Sequence, residues 1–185
     1  MRKGNYILVV TSFIWSFLEA IIFFILPDFY ILPATISQPH LWKKFVLFSI
    51  IGSVTGTLLL IFIVNLNSSA VKEMFLYIPF VSGAMFAKVE ILIHNNQNSV
   101  LFQSVSGIPL KVWTWSVVTS RYPLELFLVL MFISRIARMT IVASLGKWVG
   151  EHLPIHFKIY YRWYLVAYTI IFLFLLWSGG IYRIF

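Results

Sequence analysis

An uncharged apolar run sets the class of fold. Residues Phe45–Val64 carry no charged side chain. As an α-helix, such a run spans about 30 Å, the hydrocarbon thickness of a bilayer. Only 11% of the chain is charged and 61% is hydrophobic, whereas a soluble domain needs more charge on its surface. The sequence therefore predicts an all-α polytopic membrane protein, with residues 1–185 forming one integral membrane domain.

The first apolar stretch is interrupted by proline. Tyr6–Leu26 ends at Pro27, and Pro33 follows within the next apolar segment. Proline removes a backbone donor and clashes with the preceding turn, so we expect both prolines to break the helix. The few apolar residues after Asp28 cannot cross a bilayer. A hairpin that enters and leaves on the same side is the predicted structure.

The same pattern occurs again later in the chain. Ser99–Thr119 is apolar and is broken at Gly107 and Pro109, which predicts a second hairpin. Each hairpin is followed by a spanning segment, and interrupted segments at matching places in two halves are typical of inverted-repeat transporters. We therefore predict two opposed re-entrant helical hairpins and about three spanning helices. These helices are predicted at Phe45–Val64, Leu124–Gly146 and Tyr160–Ser178.

Other segments give weaker predictions. Residues 70–96 are interpreted as short amphipathic helices at the membrane interface, with a distorted crossing as the alternative. Gly52 and Gly56 lie four residues apart on one helix face, which favours internal helix packing over a dimer seam. The oligomeric state, a homo-oligomer included, stays open. Tryptophans are expected to anchor the protein at the interfaces, namely Trp113, Trp115, Trp148, Trp163 and Trp177.

The informative residues are charges inside apolar stretches. Arg135 and Arg138 share a face of the predicted helix that begins after Pro123, while Glu19, Asp28 and Lys111 belong to the broken segments. Five unpaired charges at mid-bilayer would cost on the order of 12–17 kcal/mol on insertion scales. We therefore expect these groups to be paired, hydrated or both.

Two acids and three bases leave one surplus positive charge in the inferred site. A phosphate would complete it, because the planar guanidinium binds oxygens bidentately. We therefore assign substrate binding to Arg135, Arg138 and Lys111. Glu19 and Asp28 are assigned to charge neutralisation, with proton exchange as a further role. The alternative is a purely structural ion-pair cluster that joins the hairpins to the helix.

Several other classes of function find no support in the residues. The chain has no cysteine, which excludes thiolate chemistry and cysteine-based metal sites. No nucleophile with its base, no metal constellation and no cofactor fingerprint is visible, so we predict a protein that is not an enzyme and has no cofactor or metal. The net charge of +8 is interpreted as loop charge and attraction to anionic lipid, not as nucleic-acid binding.

Charge in the loops predicts an orientation. If the first hairpin opens to the cytoplasm, seven cationic residues lie on that side and four on the other, which agrees with the positive-inside rule. The seven are Arg2, Lys3, Lys43, Lys44, Lys147, Lys158 and Arg162, and the four are Lys72, Lys88, Arg121 and Arg183. We expect a multi-pass protein of the cell inner (plasma) membrane with a cytoplasmic N-terminus.

The chain also resembles a known family at these residues. It is similar to the DedA membrane proteins, which share the SNARE-associated Golgi protein (VTT) domain, and especially to their YqaA-like branch. The resemblance covers about residues 13–150. Four family stretches, ESSFFPIPPD, LGSVLGG, TPIPYKV and GRGARF, resemble in order Glu19–Asp28, Ile51–Thr57, Ser106–Val112 and Ser134–Met139. Several family prolines and glycines are replaced, at Phe24, Leu26, Gly107, Ser134 and Ile136, while the charged positions remain.

The resemblance implies two facing re-entrant hairpins and movement of lipids between leaflets. Bacterial relatives are linked to recycling undecaprenyl phosphate and to proton-coupled membrane homeostasis, and eukaryotic relatives are phospholipid scramblases. By motif, the functional acids and arginines of the family fall on Glu19, Asp28, Arg135 and Arg138. We therefore predict translocation of phospholipid or polyprenyl-phosphate head groups. The alternatives are a proton- or ion-coupled transporter of small solutes and a non-transporting membrane scaffold.

Overall fold

Seven α-helices and two 3₁₀ segments make up the part of the chain that the structure describes. The computed structural model describes residues 3–23, 25–78 and 81–152, together with 163, 166–167 and 170. The α-helices are α1 (Lys3–Ile21), α2 (Asp28–Ser37), α3 (Trp42–Leu66), α4 (Ser68–Leu76), α5 (Gly83–Asn95), α6 (Leu110–Thr119) and α7 (Leu124–His152), and the 3₁₀ segments are Pro39–Leu41 and Gln97–Ser104. Within these ranges there is no strand, so the all-α prediction is confirmed.

Two helices are long and apolar enough to cross a membrane. They are Pro39–Leu66, which is α3 with its preceding 3₁₀ turn, and α7. The two run antiparallel: the Lys147 ammonium near the end of α7 lies 5.9 Å from the ring centroid of Trp42 at the start of α3. Further along, the Ser49 hydroxyl lies 3.7 Å from the Met139 sulfur. The third predicted span, Tyr160–Ser178, lies outside the described residues.

The first broken segment is a helical hairpin. Helix α1 runs parallel to α3, because Ser16 contacts Ser49 through their hydroxyls (2.5 Å) and a Cβ at Gly56 would contact the Phe17 carbonyl. Helix α2 runs parallel to α7, because Gly146 of α7 lies against Leu32 of α2 and Gly150 lies against Ile36, four residues further along both helices. Since α3 and α7 are antiparallel, α2 returns along the direction from which α1 came.

Helix α1 ends at Ile21, before Pro27, and Pro33 does not interrupt α2. Pro27 precedes the first residue of α2, whereas Pro33 lies inside α2 and is buried. The prediction that Pro33 is a hairpin breaker is wrong. Proline has a helix-compatible φ, and its cost inside a helix is one lost hydrogen bond and a clash with the preceding turn. Packing of a buried helix face, which here includes Ile31 and Ala34, can outweigh that loss.

The second broken segment enters the helix bundle from the end of the molecule opposite to the first hairpin. The Tyr122 hydroxyl donates to the Gln97 carbonyl at 2.8 Å, and the Ser134 hydroxyl donates to the Leu101 carbonyl at 2.8 Å. The 3₁₀ segment Gln97–Ser104 therefore follows the direction of α7. The chain turns at Gly107, whose φ of +72° suits glycine. Helix α6 then returns toward α4, where Trp115 donates to the Ser68 carbonyl at 2.8 Å.

Residues 70–96 contain two short helices, α4 and α5, as the favoured prediction expected. Their buried side chains, among them Phe75, Phe86 and Val89, join the same core as α6. The prediction that Trp113 and Trp115 are interfacial anchors is wrong, because both are buried in this core. Indole rings pack into a protein interior when their N–H finds a partner, and Trp115 has the Ser68 carbonyl.

Gly52 and Gly56 serve packing within the chain. A Cβ at Gly52 would collide with the Phe13 carbonyl oxygen, and a Cβ at Gly56 would come within 2.8 Å of the Ala20 Cβ. Small residues at these positions let two helix backbones approach closely. The close approach fixes α1 against α3 and with it the position of the first hairpin.

We expect Gly52→Ala to lower the free energy of unfolding by about 1–3 kcal/mol, because the added methyl overpacks a contact with backbone that cannot give way. Thermal or denaturant unfolding of the detergent-solubilised protein measures the change. Gly83→Ala is the matched control, since a Cβ there meets nothing within 4 Å. Equal stability of the Gly52 variant and the wild type would show that the α1–α3 contact is looser than described.

Candidate functional site

The two hairpins meet at the middle of α7. Arg135 lies about 16 Å along this helix from Leu124, and Arg138 follows one turn later. Both side chains project on the face that contacts the first hairpin. Each makes an ion pair with one of the acids that the sequence singled out.

Arg135 pairs with Glu19 in the interior. A guanidinium nitrogen of Arg135 donates to the Glu19 carboxylate at 3.0 Å, and the two side chains are only 4% and 2% exposed. Glu19 lies near the end of α1, so this pair joins the first hairpin to α7. The pairing that the sequence required of these two charges is present.

Arg138 contacts both hairpins. Its Nε donates to the Asp28 carboxylate at 2.7 Å, a second guanidinium nitrogen also pairs with Asp28, and the third donates to the Ser104 carbonyl. Asp28 is the first residue of α2, a position where the helix dipole favours an acidic side chain. This pair is more accessible than the first, with side chains 23% and 20% exposed.

Lys111 joins one hairpin to the other. Its ammonium donates to the Phe23 carbonyl at 2.8 Å. This hydrogen bond joins the start of α6 to the tip of the first hairpin, between α1 and α2. The Lys111 side chain is buried, and the ion pairs found in the described ranges do not include it. Lys111 is not among the residues that line the cavity described next.

A cavity of about 630 Å³ lies where the hairpin tips meet α7. We call it the hairpin cavity. Its lining residues are Glu19, Leu26, Met85, Gln103, Ser104, Val105, Gly107, Ile108, Pro109, Leu110, Arg135 and Arg138. The volume falls in the range of small-molecule sites, about 300–1,000 Å³.

The cavity combines charged side chains with free hydrogen-bonding capacity. The Arg135 Nε and the Glu19 Oε2 are buried and have no hydrogen-bond partner in the described part of the chain. Arginine donors are well suited to phosphate and carboxylate oxygens. Arg135 and Arg138 are balanced by Glu19 and Asp28, and Lys111 adds one further cation close to the cavity. The surroundings of the cavity are therefore suited to an anionic group.

Sequence reasoning missed the residues of the 3₁₀ segment that face the cavity. Gln103 and Ser104 are both buried, and the Gln103 amide donates to the Ser104 hydroxyl at 2.7 Å. Both residues lie in a polar stretch directly before the break at Gly107, and this stretch is the sequence feature that could have indicated them. Hydrophobic periodicity does not detect a 3₁₀ segment, because its side chains repeat every three residues.

The described residues contain no cluster of three or more histidine, aspartate or glutamate side chains that could hold a metal ion. The two carboxylates of the site are each engaged by an arginine. The charged side chains at the cavity therefore form two arginine–carboxylate ion pairs.

Comparison with known proteins finds a relative of uncharacterized function. No protein-family model matches the chain, and no solved structure matches it. An uncharacterized protein of Haemophilus influenzae is 32% identical over 152 residues, which cover 80% of this chain and 77% of that protein. The chain belongs to the same family as this Haemophilus influenzae protein.

Proposed function

We propose that this protein moves lipids with phosphate-bearing head groups between the leaflets of a membrane. The observation that carries the proposal is the hairpin cavity, with Arg135 and Arg138 at its wall. A cationic cavity midway along the membrane-length helix α7 has the location that a head group must pass. The hydrocarbon tails can remain in the bilayer while the head group crosses.

In this proposal the two hairpins are re-entrant elements of a multi-pass membrane protein. Helix α1 has 19 residues and α2 has 10, so α2 is too short to cross a bilayer core that needs about 20 residues. The barrier between the two sides is then formed by hairpin tips and not by complete helices. Opposed hairpins of this kind are the expected location of a transporter's substrate site.

Exchange of partners provides a mechanism. In the empty state Glu19 neutralises Arg135 and Asp28 neutralises Arg138. A lipid phosphate competes with these carboxylates for the guanidinium groups, as both are oxyanions. Proton uptake by Glu19 or Asp28 would favour the lipid-bound state, and proton release would expel the lipid. Lys111 contributes positive potential from behind the Phe23 carbonyl.

The resemblance to DedA proteins supports the same assignment. By motif, the functional acids and arginines of that family fall on the four residues that form the two ion pairs. The proposed location is the inner membrane with a cytoplasmic N-terminus, because Lys43 and Lys44 at the start of α3 share one end of the molecule with Lys147 of α7. Cations on the cytoplasmic side are the usual arrangement.

Leaflet exchange in proteoliposomes tests the proposal. We expect vesicles with the wild-type protein to expose a fluorescent-head-group phospholipid to an external quencher faster than empty vesicles or vesicles with Arg135→Ala. Trapped solutes should stay inside, which separates this function from a solute transporter. Exchange no faster than in empty vesicles, with phosphatidylglycerol and polyprenyl phosphate both tried, would refute the proposal.

A further inference from the structure

A second cavity lies beside the hairpin cavity, on the outer side of α7. It has a volume of about 420 Å³ and lies between the 3₁₀ segment and α7. We call it the outer groove and define it by its apolar lining residues, Leu101, Val105, Ile133, Ala137, Ile141 and Val142. We infer that the outer groove holds a hydrocarbon tail of the lipid whose phosphate occupies the hairpin cavity, an inference that rests on the proposed function.

The two cavities are joined at their walls. Ser104, Val105 and Arg138 line both of them. Arg138 therefore lies between a cavity whose wall also carries the charged side chains of Glu19 and Arg135 and a groove whose other lining residues are mostly apolar. A molecule that fits both spaces at once has an anionic end for the guanidinium and a long apolar part, which is the chemistry of a lipid phosphate.

The outer groove opens to the outside of the helix bundle. Val105 is 75% exposed, Ile141 is 61% exposed and Ile133 is 51% exposed. The groove extends along α7 for about 13 Å, the rise from Ile133 to Val142. Ser134 lies at its floor and fixes the 3₁₀ segment to α7 through the Leu101 carbonyl. In a bilayer, an apolar opening of this kind faces lipid tails.

The groove defines a path and adds little affinity. A tail that moves from the bilayer into the groove exchanges one hydrocarbon environment for another, so no water is released. Affinity comes from the phosphate at Arg138. Blocking the groove should therefore slow the lipid's access to the hairpin cavity and move the tail, while the ion pairs of the site stay intact.

Photo-crosslinking locates the tail directly. The purified protein is placed in vesicles of phosphatidylcholine with a small fraction of phosphatidic acid that carries a diazirine in its acyl chain. We expect adducts at Val105 and Ile141 to exceed those at Val129 by about tenfold, the ratio that one charge-assisted hydrogen bond to phosphate supports. Val129 is the reference because it is 55% exposed on the same helix and lines neither cavity. A diacylglycerol with the same diazirine-bearing tail, which has no phosphate, should give no such excess if the phosphate directs the tail.

Two tryptophan variants extend the test. Ala137→Trp places an indole in the groove and should abolish the excess of adducts and slow leaflet exchange, whereas Val129→Trp should do neither. Adducts spread evenly over the exposed faces of α3 and α7 in the wild type would overturn the inference, whatever the variants do. Groove adducts without any leaflet exchange would contradict the proposed function and leave the tail site standing. Leaflet exchange with evenly spread adducts would contradict the tail site and leave the proposed function standing.

Discussion

Removing Glu19 alone is expected to destabilise the protein strongly. Glu19→Ala leaves the Arg135 guanidinium uncompensated in a site where its side chain is 4% exposed. Breaking a buried ion pair by removing one partner costs about 3–5 kcal/mol, since the remaining charge stays buried without its counterion. Thermal unfolding in detergent should show this loss as a lower Tm.

A double replacement distinguishes charge from packing. Glu19→Leu with Arg135→Met removes both charges and fills a similar volume, and such replacements are often neutral or stabilising by about 1–4 kcal/mol. We expect it to restore the Tm and to abolish leaflet exchange. If the double variant is as unstable as the single one, side-chain shape and not charge pairing holds α1 to α7. If it is stable and still exchanges lipid, this pair has no role in transport.

Arg138→Gln is expected to slow leaflet exchange by at least about tenfold, the effect of losing one or two charge-assisted hydrogen bonds of about 1.5–3 kcal/mol each. Arg138→Lys should recover part of the rate, because lysine keeps the charge but lacks the bidentate fork. Stability should change less than at Arg135, since the Arg138 side chain is 23% exposed. Rates are compared in the same vesicles at matched protein content.

Lys147→Gln is the matched control for this series. Lys147 is another cation of α7, and it pairs with Glu151 near the end of the helix at 3.8 Å, away from the hairpin cavity. Loss of a surface pair of this kind is expected to cost little. A rate loss of the same size in Lys147→Gln would mean that net charge of the protein matters and that Arg138 has no special position.

The two reversals of chain direction could be predicted because their breaks are local. Pro27 and the Gly107–Pro109 stretch change the backbone through their own stereochemistry, so the chain direction follows from neighbouring residues. The same rule failed at Pro33, where burial of α2 outweighed a local penalty. Local rules predict breaks well when nothing in the tertiary packing opposes them.

The charged residues could be predicted as a group but not as pairs. Desolvation cost requires that charges in apolar segments find partners, and this argument selects Glu19, Asp28, Lys111, Arg135 and Arg138. It does not say which acid meets which base. That depends on the level at which α1 lies against α3 and α2 lies against α7, and glycine contacts help to set both levels. The burial of Trp113 depends on packing in the same way.

Lys111 illustrates the limit of this reasoning. Its position in a broken apolar segment suggested direct substrate binding, and the structure instead directs its ammonium to the Phe23 carbonyl. A carbonyl at the end of a helix is invisible to residue-type arguments, because every residue carries one. Whether Lys111 also reaches a substrate stays a prediction.

Arg138 has a consequence for how the two halves of the molecule could move. One guanidinium group clamps the start of α2 through Asp28 and the end of the 3₁₀ segment through the Ser104 carbonyl. A ligand that captures this group must release both clamps in a single event. The two hairpins would then respond together to one bound anion, with no relay of intermediate residues between them.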